Sequence, residues 1–167
     1  MIVTVLFILF ICVVSRLVPH LANMTPFIAL SLFAGKRLKP LTAVLLMGVS
    51  LLLSDFLLSR TLGYPMLGNW MWFTYSAIIL ITLFGQRYQY SRAKGLAVAG
   101  SACLGFWLWT NFGVFLLSGM YPLTLAGFSV CFIAAIPFLM HSLVGNLLWM
   151  VVLFEGLERC RPLISRA

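Results

Sequence analysis

The residues with the most binding chemistry lie in one short interruption of the apolar sequence. Residues 16–26 read RLVPHLANMTP, with two prolines and the polar side chains of His20, Asn23 and Thr25. Proline removes a backbone donor and disfavours helix in the residue before it, so this stretch is predicted to separate two helices. A polar break at membrane depth is stable only where it faces water or a protein cavity. We therefore predict that the stretch lines a small-molecule site.

Six further residues that could contact a ligand lie along the rest of the chain. They are Asp55, Trp107, Asn111, Tyr121, His141 and Asn146. The sequence contains no GxSxG, HExxH or Walker A motif, and Asp55 is its only aspartate, so an aspartyl protease pair is excluded. These residue types therefore favour binding over covalent chemistry. We predict a protein that is not an enzyme and that has no cofactor.

The composition excludes a soluble globular domain. Hydrophobic residues make up 63% of the chain and charged residues 8%, and the mean hydropathy is +1.11. Each membrane span needs about 20 residues, so 167 residues leave no room for a separate soluble domain. The four cysteines lie far apart and form no CxxC pair, which gives no support to a metal site. The sequence predicts an all-α polytopic protein with a single transmembrane domain, residues 1–167.

Seven apolar segments define the expected helices. They are residues 2–17, 26–35, 41–58, 70–85, 95–117, 123–139 and 141–157. No Lys or Arg precedes the first segment, so it is predicted to be a retained helix and not a signal peptide. Segment 123–139, which contains a glycine and a proline, is expected to be re-entrant or tilted, leaving six spans. Segment 26–35 is short for a span and is expected to extend through residues 36–39 or to begin below the membrane surface.

The basic residues set the expected orientation. With six spans, nine of the 11 Lys and Arg lie at one side, and only Arg16 and Arg60 lie at the other. The positive-inside rule then places both termini in the cytoplasm. The net charge of +8 is explained by this rule and by contact with anionic lipid, so no nucleic-acid partner is expected.

This topology places the polar residues in the outer half of the membrane, where they predict a pocket open to the outside. The predicted substrate-binding residues are His20, Asn23, Thr25, Asp55, Trp107, Asn111, Tyr121, His141 and Asn146. Structural roles are the alternatives. Asp55 could pair with Arg16 or Arg60, Asn23 and Thr25 could cap the second helix, and Asn111 and Asn146 could bond between helices.

Small residues recur at helical spacing on the inner side. Ala93/Ala97 and Gly95/Ala99 open the fifth helix, and Ser31/Gly35 lie on the second. This spacing lets helices approach closely. It predicts either internal packing or docking of a partner membrane subunit.

Motifs along nearly the whole chain carry a family resemblance. They are Arg16-x-x-Pro19-His20-x-x-Asn23-x-Thr25-Pro26, Ala29-Leu30-x-Leu32-Phe33-Ala34-Gly35, Leu53-Ser54-Asp55, Thr110-Asn111-Phe112-Gly113 and Tyr121-Pro122-Leu123-Thr124. They resemble an uncharacterised bacterial family of small membrane proteins grouped with the substrate-binding (S) components of energy-coupling factor (ECF) transporters. The resemblance implies an inner-membrane protein that captures a vitamin-like micronutrient, with a coupling subunit and ATPases as separate chains. S components often carry Ala-xxx-Ala in the first helix, whereas residues 2–17 contain no alanine.

Two other functions are compatible with the same sequence. One is a structural membrane subunit of an envelope or cell-shape complex. The other is an independent small-solute carrier, in which Asp55 or a histidine would have to carry proton coupling.

Overall fold

The computed structural model describes residues 2–18, 23–63, 68–87 and 91–156, without the side chains of residues 92 and 93. All regular structure in these ranges is helical, which confirms the predicted all-α class. The helices are α1 (Ile2–Leu17), α2 (Phe27–Arg37), α3 (Pro40–Leu62), α4 (Met71–Arg87), α5 (Arg92–Leu117), α6 (Leu125–Ala134) and α7 (Ile136–Val151), and a π-helical turn, Val152–Gly156, follows α7.

Helix α2 lies at the centre of the bundle. Residues 27–35 are all buried, and the helix contacts α1, α3, α4, α5 and α7. A helix that is apolar on every side is stable only when other elements surround it. With 11 residues α2 is about 16 Å long, which is about half of the hydrocarbon thickness. Its burial explains how so short a helix is accommodated, because protein and not lipid surrounds residues 27–35.

Two glycines let α2 and α4 cross in backbone contact. A Cβ atom at Gly35 would lie 1.9 Å from the carbonyl oxygen of Thr82, and one at Gly85 would lie 2.5 Å from that of Leu32. Neither position therefore has space for a side chain. The predicted role of Gly35 in close helix approach is confirmed, whereas the Ser31 hydroxyl bonds within α2, to the Phe27 carbonyl.

Helix α2 also packs into the apolar core, at the end of the bundle where α2 itself ends. Phe33 packs edge-on against Phe154 of the π-helical turn, with ring centroids 5.3 Å apart. Ile8, Leu30 and Met47 join the same cluster and are fully buried. The apolar core thus lies towards this end. We call it the basic end, because Lys36, Arg37, Lys39, Arg87 and Lys94 lie there, and the opposite end the cavity end.

The structure corrects the boundary predicted between segments 123–139 and 141–157. Helices α6 and α7 are separated by Ala135 alone, so the chain kinks there and continues. Pro137 lies in the first turn of α7, where a missing N–H costs no intrahelical bond. His141 is therefore inside α7 and not at its start. Asn146 lies about 15 Å into the helix.

Within the described residues, three stretches are long and apolar enough to cross a membrane, namely Pro40–Leu62, Lys94–Leu117 and Leu125–Gly156. The shorter helix Ile2–Leu17 is also apolar. Many large apolar side chains on these helices are exposed, among them Leu41, Leu125 and Ile133, as expected of lipid-facing surfaces. The chain is therefore a helical membrane protein, and the six-span topology stays a prediction.

Candidate ligand-binding cavity

A cavity of about 910 Å³ opens among the helices at the cavity end. Its volume lies in the range typical of small-molecule sites, about 300–1,000 Å³. All seven helices contribute to its lining, with polar groups set among aromatic and aliphatic side chains. One lining residue from each helix, α1 to α7 in order, is Arg16, Phe27, Asp55, Tyr75, Trp107, Cys131 and Asn146.

An ion pair forms one wall of the cavity. Arg16 Nη1 lies 2.7 Å from Asp55 Oδ1 and donates to the Ser54 hydroxyl at 2.6 Å. The Tyr75 hydroxyl donates to Asp55 Oδ2 at 2.8 Å, so both carboxylate oxygens are engaged. The two charged side chains are 23% and 19% exposed. Partly desolvated charges are stable when paired and hydrogen-bonded, and this cluster joins α1, α3 and α4.

Arg16, and not Arg60, is the partner of Asp55. The Arg16 guanidinium also lies 5.9 Å from the centre of the Phe27 ring, whereas Arg60 lies over Phe56 at 5.3 Å. Among the described residues, Nε and Nη2 of Arg16 have no hydrogen-bond partner. These donors are therefore available to a ligand in the cavity.

Asn146 connects α7 to the start of α2. Its Oδ1 accepts from the Ala29 amide at 2.9 Å, and its Nδ2 donates to the Ser142 carbonyl at 2.9 Å and hydroxyl at 3.3 Å. The first amides of a helix lack intrahelical acceptors, and no side chain of the Pro26 N-cap supplies one. Asn146 is 1% exposed. It therefore caps α2 from another helix, which confirms the interhelical alternative.

Asn111 and Trp107 share one face of α5 opposite α6. The Trp107 indole N–H donates to the Ala135 carbonyl at 2.8 Å, and its ring packs edge-on against Phe132 at 5.2 Å. Trp107 thereby connects α5 to α6 and to the residue between α6 and α7. Asn111 Nδ2 donates to the Trp107 carbonyl at 2.7 Å, while its Oδ1 has no partner among the described residues. Asn111 can thus offer an acceptor to a ligand.

The structure brings together seven of the nine residues predicted to bind substrate. The lining residues are Asn23, Thr25, Asp55, Trp107, Asn111, Tyr121 and Asn146. His141 is not among the lining residues, and His20 lies outside the described residues. Asn23 adopts a positive φ of 64°, which asparagine tolerates better than most residues. Asn23 and Thr25 do not cap α2, so that alternative is wrong.

Several polar lining residues were not among the nine predicted to bind substrate, including Arg16, Thr74, Tyr75, Thr110 and Ser142. Tyr75 lies one turn into α4, at a depth that the predicted topology makes similar to that of Asp55. Depth alone could therefore have identified it. The two threonines bond to carbonyls of their own helices and carry no separate signal in the sequence.

A protein-family model matches residues 1–165, which is nearly the whole chain. The chain belongs to DUF6580, a family of unknown function. No curated protein and no solved structure matches it. The cavity of this DUF6580 protein therefore has to be interpreted from its own groups. It offers donors at Arg16, an acceptor at Asn111 and the aromatic rings of Trp70, Phe106 and Tyr121.

Proposed function

We propose that the protein is a substrate-binding membrane subunit that captures a small organic molecule in this cavity. The observation that carries the proposal is a cavity of ligand size, lined by all seven helices. Within the described part of the chain, Nε and Nη2 of Arg16 and Oδ1 of Asn111 have no hydrogen-bond partner. The residues present favour binding without covalent chemistry. On the resemblance to S components, the ligand is a vitamin-like micronutrient, and coupling and ATPase subunits are separate chains.

The proposed topology has six spans with both termini in the cytoplasm of a bacterial inner membrane. Lys36, Arg37, Lys39, Arg87 and Lys94 lie at the basic end, and Arg16 and Arg60 lie near the cavity end. The positive-inside rule orients such a bundle with its basic end in the cytoplasm. The cavity then opens to the outside, as capture of an external solute requires. Helices α1, α2 and α4 count as spans, although each is shorter than about 20 residues.

A binding screen tests the proposal. Purified protein is screened by thermal shift against a metabolite library, and saturable binding of each hit is then measured with the labelled compound. We expect Asn111→Ala to weaken binding and Ser129→Ala to leave it unchanged. Ser129 is an exposed residue of α6 that bonds only to the Leu125 carbonyl, and it does not line the cavity.

Three outcomes distinguish the proposal from its alternatives. Folded protein that binds nothing in a broad screen contradicts it. Stable association with envelope-assembly proteins and not with ATPase subunits would favour a structural subunit. Proton-dependent uptake by the chain alone in liposomes would instead identify an independent carrier.

A further inference from the structure

A second, apolar groove runs along the outer surface between α4 and α5, towards the basic end. It has a volume of about 560 Å³ and is lined by Leu80, Ile81, Phe84, Ala97, Val98, Ser101 and Ala102. The α5 side consists of Val98 and the small residues Ala97, Ser101 and Ala102. On α4, Leu80 and Phe84 are 64% and 54% exposed and form a raised rim. The groove is thus a lipid-facing channel between two helices.

At the cavity end, aromatic side chains fill the interface between α4 and α5. Phe73 packs against Trp109 and Phe112, with ring centroids 5.0 and 6.4 Å away, and the Trp109 indole N–H donates to the Ser76 hydroxyl at 3.0 Å. Towards the basic end, beyond these rings, the small side chains of Ala97 and Ser101 leave the interface open. The groove is therefore a local feature of the sequence and not a general consequence of how the two helices cross.

Two cations continue the groove at the basic end. Arg87 follows Phe84 by three positions on α4, and Lys94 precedes Ala97 by three positions on α5. Residues three or four positions apart share a helix face, so each rim of the groove leads to one positive charge. Both cations are exposed, and neither forms an ion pair with an acid in the described part of the chain.

We propose that this groove binds an anionic phospholipid, with one acyl chain between α4 and α5 and the phosphate at Arg87 and Lys94. An apolar channel that ends at two cations is complementary to an anion joined to a hydrocarbon chain. Basic pockets between membrane helices are known to bind such headgroups. The proposal stands whether or not the larger cavity binds a solute, because no residue is shared between them.

Native mass spectrometry of the full chain in mild detergent tests the site. Phosphatidylglycerol and phosphatidylcholine with identical acyl chains are titrated in parallel. We expect one tightly retained phosphatidylglycerol and weaker retention of phosphatidylcholine. Each basic residue near an anionic headgroup contributes about a five-fold change in affinity. Arg87→Gln with Lys94→Gln is therefore expected to weaken phosphatidylglycerol binding about 25-fold.

A matched control removes the same charge elsewhere at the basic end. Lys36→Gln with Lys39→Gln replaces two exposed cations, on α2 and beside α3, that do not line the groove, and is expected to retain the lipid. Ala97→Leu keeps the charges but fills the groove, and is expected to weaken retention of both lipids. Equal loss in both glutamine pairs would overturn the proposal in favour of general surface charge. A change of oligomeric state in Ala97→Leu, with lipid retention unchanged, would overturn it in favour of a protein contact.

Discussion

Replacing Asn146 and Asn111 by alanine, one at a time, should show that the Asn146 side chain stabilises the fold and that the Asn111 side chain binds the ligand. Asn146 caps α2 and is fully buried, whereas Asn111 is half-buried and its side chain bonds to the Trp107 carbonyl of its own helix. Asn146→Ala leaves the Ala29 amide buried without an acceptor, which costs about 1–3 kcal/mol. The space left by the amide adds about 1 kcal/mol. Asn146→Ala is therefore expected to lower the free energy of unfolding by about 3 kcal/mol.

For a chain of this size that loss corresponds to a melting temperature lower by about 6–12 °C. Asn111→Ala removes one half-buried hydrogen bond and should cost about 0.5–1.5 kcal/mol. Thermal unfolding in detergent, followed by size-exclusion chromatography, measures both losses. Ligand affinity is then measured on the folded fraction. It should fall in Asn111→Ala and stay close to that of the unmodified protein in Asn146→Ala.

The reverse pattern would refute this assignment. If Asn146→Ala melts like the unmodified protein, the Ala29 amide does not depend on Asn146, and the cap from α7 to α2 is wrong. If Asn146→Ala instead abolishes binding at unchanged stability, Asn146 contacts the ligand directly. Asn146→Asp provides a further check, because it keeps an acceptor for Ala29 but places a carboxylate beside the Ser142 carbonyl. It should melt below the unmodified protein.

Two further predictions concern the helix crossing and the ion pair. Gly35→Ala places a methyl group against the Thr82 carbonyl and should destabilise the fold by about 1–3 kcal/mol in the same unfolding assay. The control is Gly48→Ala, which should be neutral or stabilising because a Cβ atom there meets nothing within 4 Å. Equal losses in both variants would contradict a tight crossing of α2 and α4. Asp55→Asn leaves the Arg16 charge unpaired and should cost about 1–3 kcal/mol, less than for a fully buried pair because both side chains are partly exposed. An Asp55→Asn protein that melts like the unmodified one would show that the ion pair contributes nothing to stability.

The depth of polar residues was the most informative signal in the sequence. Polar side chains are costly in lipid, so Asn23, Asp55 and Asn111 could be expected to share a cavity, and they do line one. An ion pair of Asp55 with Arg16 or Arg60 was an alternative to substrate binding, and the structure shows the pair with Arg16. That these groups bind a substrate stays a prediction.

The kink at Ala135 could not be predicted from the sequence. Alanine gives no turn signal, and Pro137 is compatible with a helix start as well as with a break. At the kink, the Ala135 carbonyl accepts a hydrogen bond from the Trp107 indole, a tertiary contact that the sequence does not reveal. For the same reason an interhelical hydrogen bond from Asn146 was only one of two alternatives, and capping of α2 was not predicted for it, because its partner Ala29 lies 117 residues away in the chain.

The central claim is that the cavity holds a small molecule, and mass spectrometry of molecules that co-purify with the protein in mild detergent tests it most directly. The comparison uses the unmodified protein, Thr110→Phe, which fills the cavity, and Ser129→Phe, which adds the same ring outside it. We predict one species near one molecule per chain in the unmodified protein and in Ser129→Phe, and its loss in Thr110→Phe. A folded protein that carries no small molecule, or one that Thr110→Phe retains in full, would contradict the account.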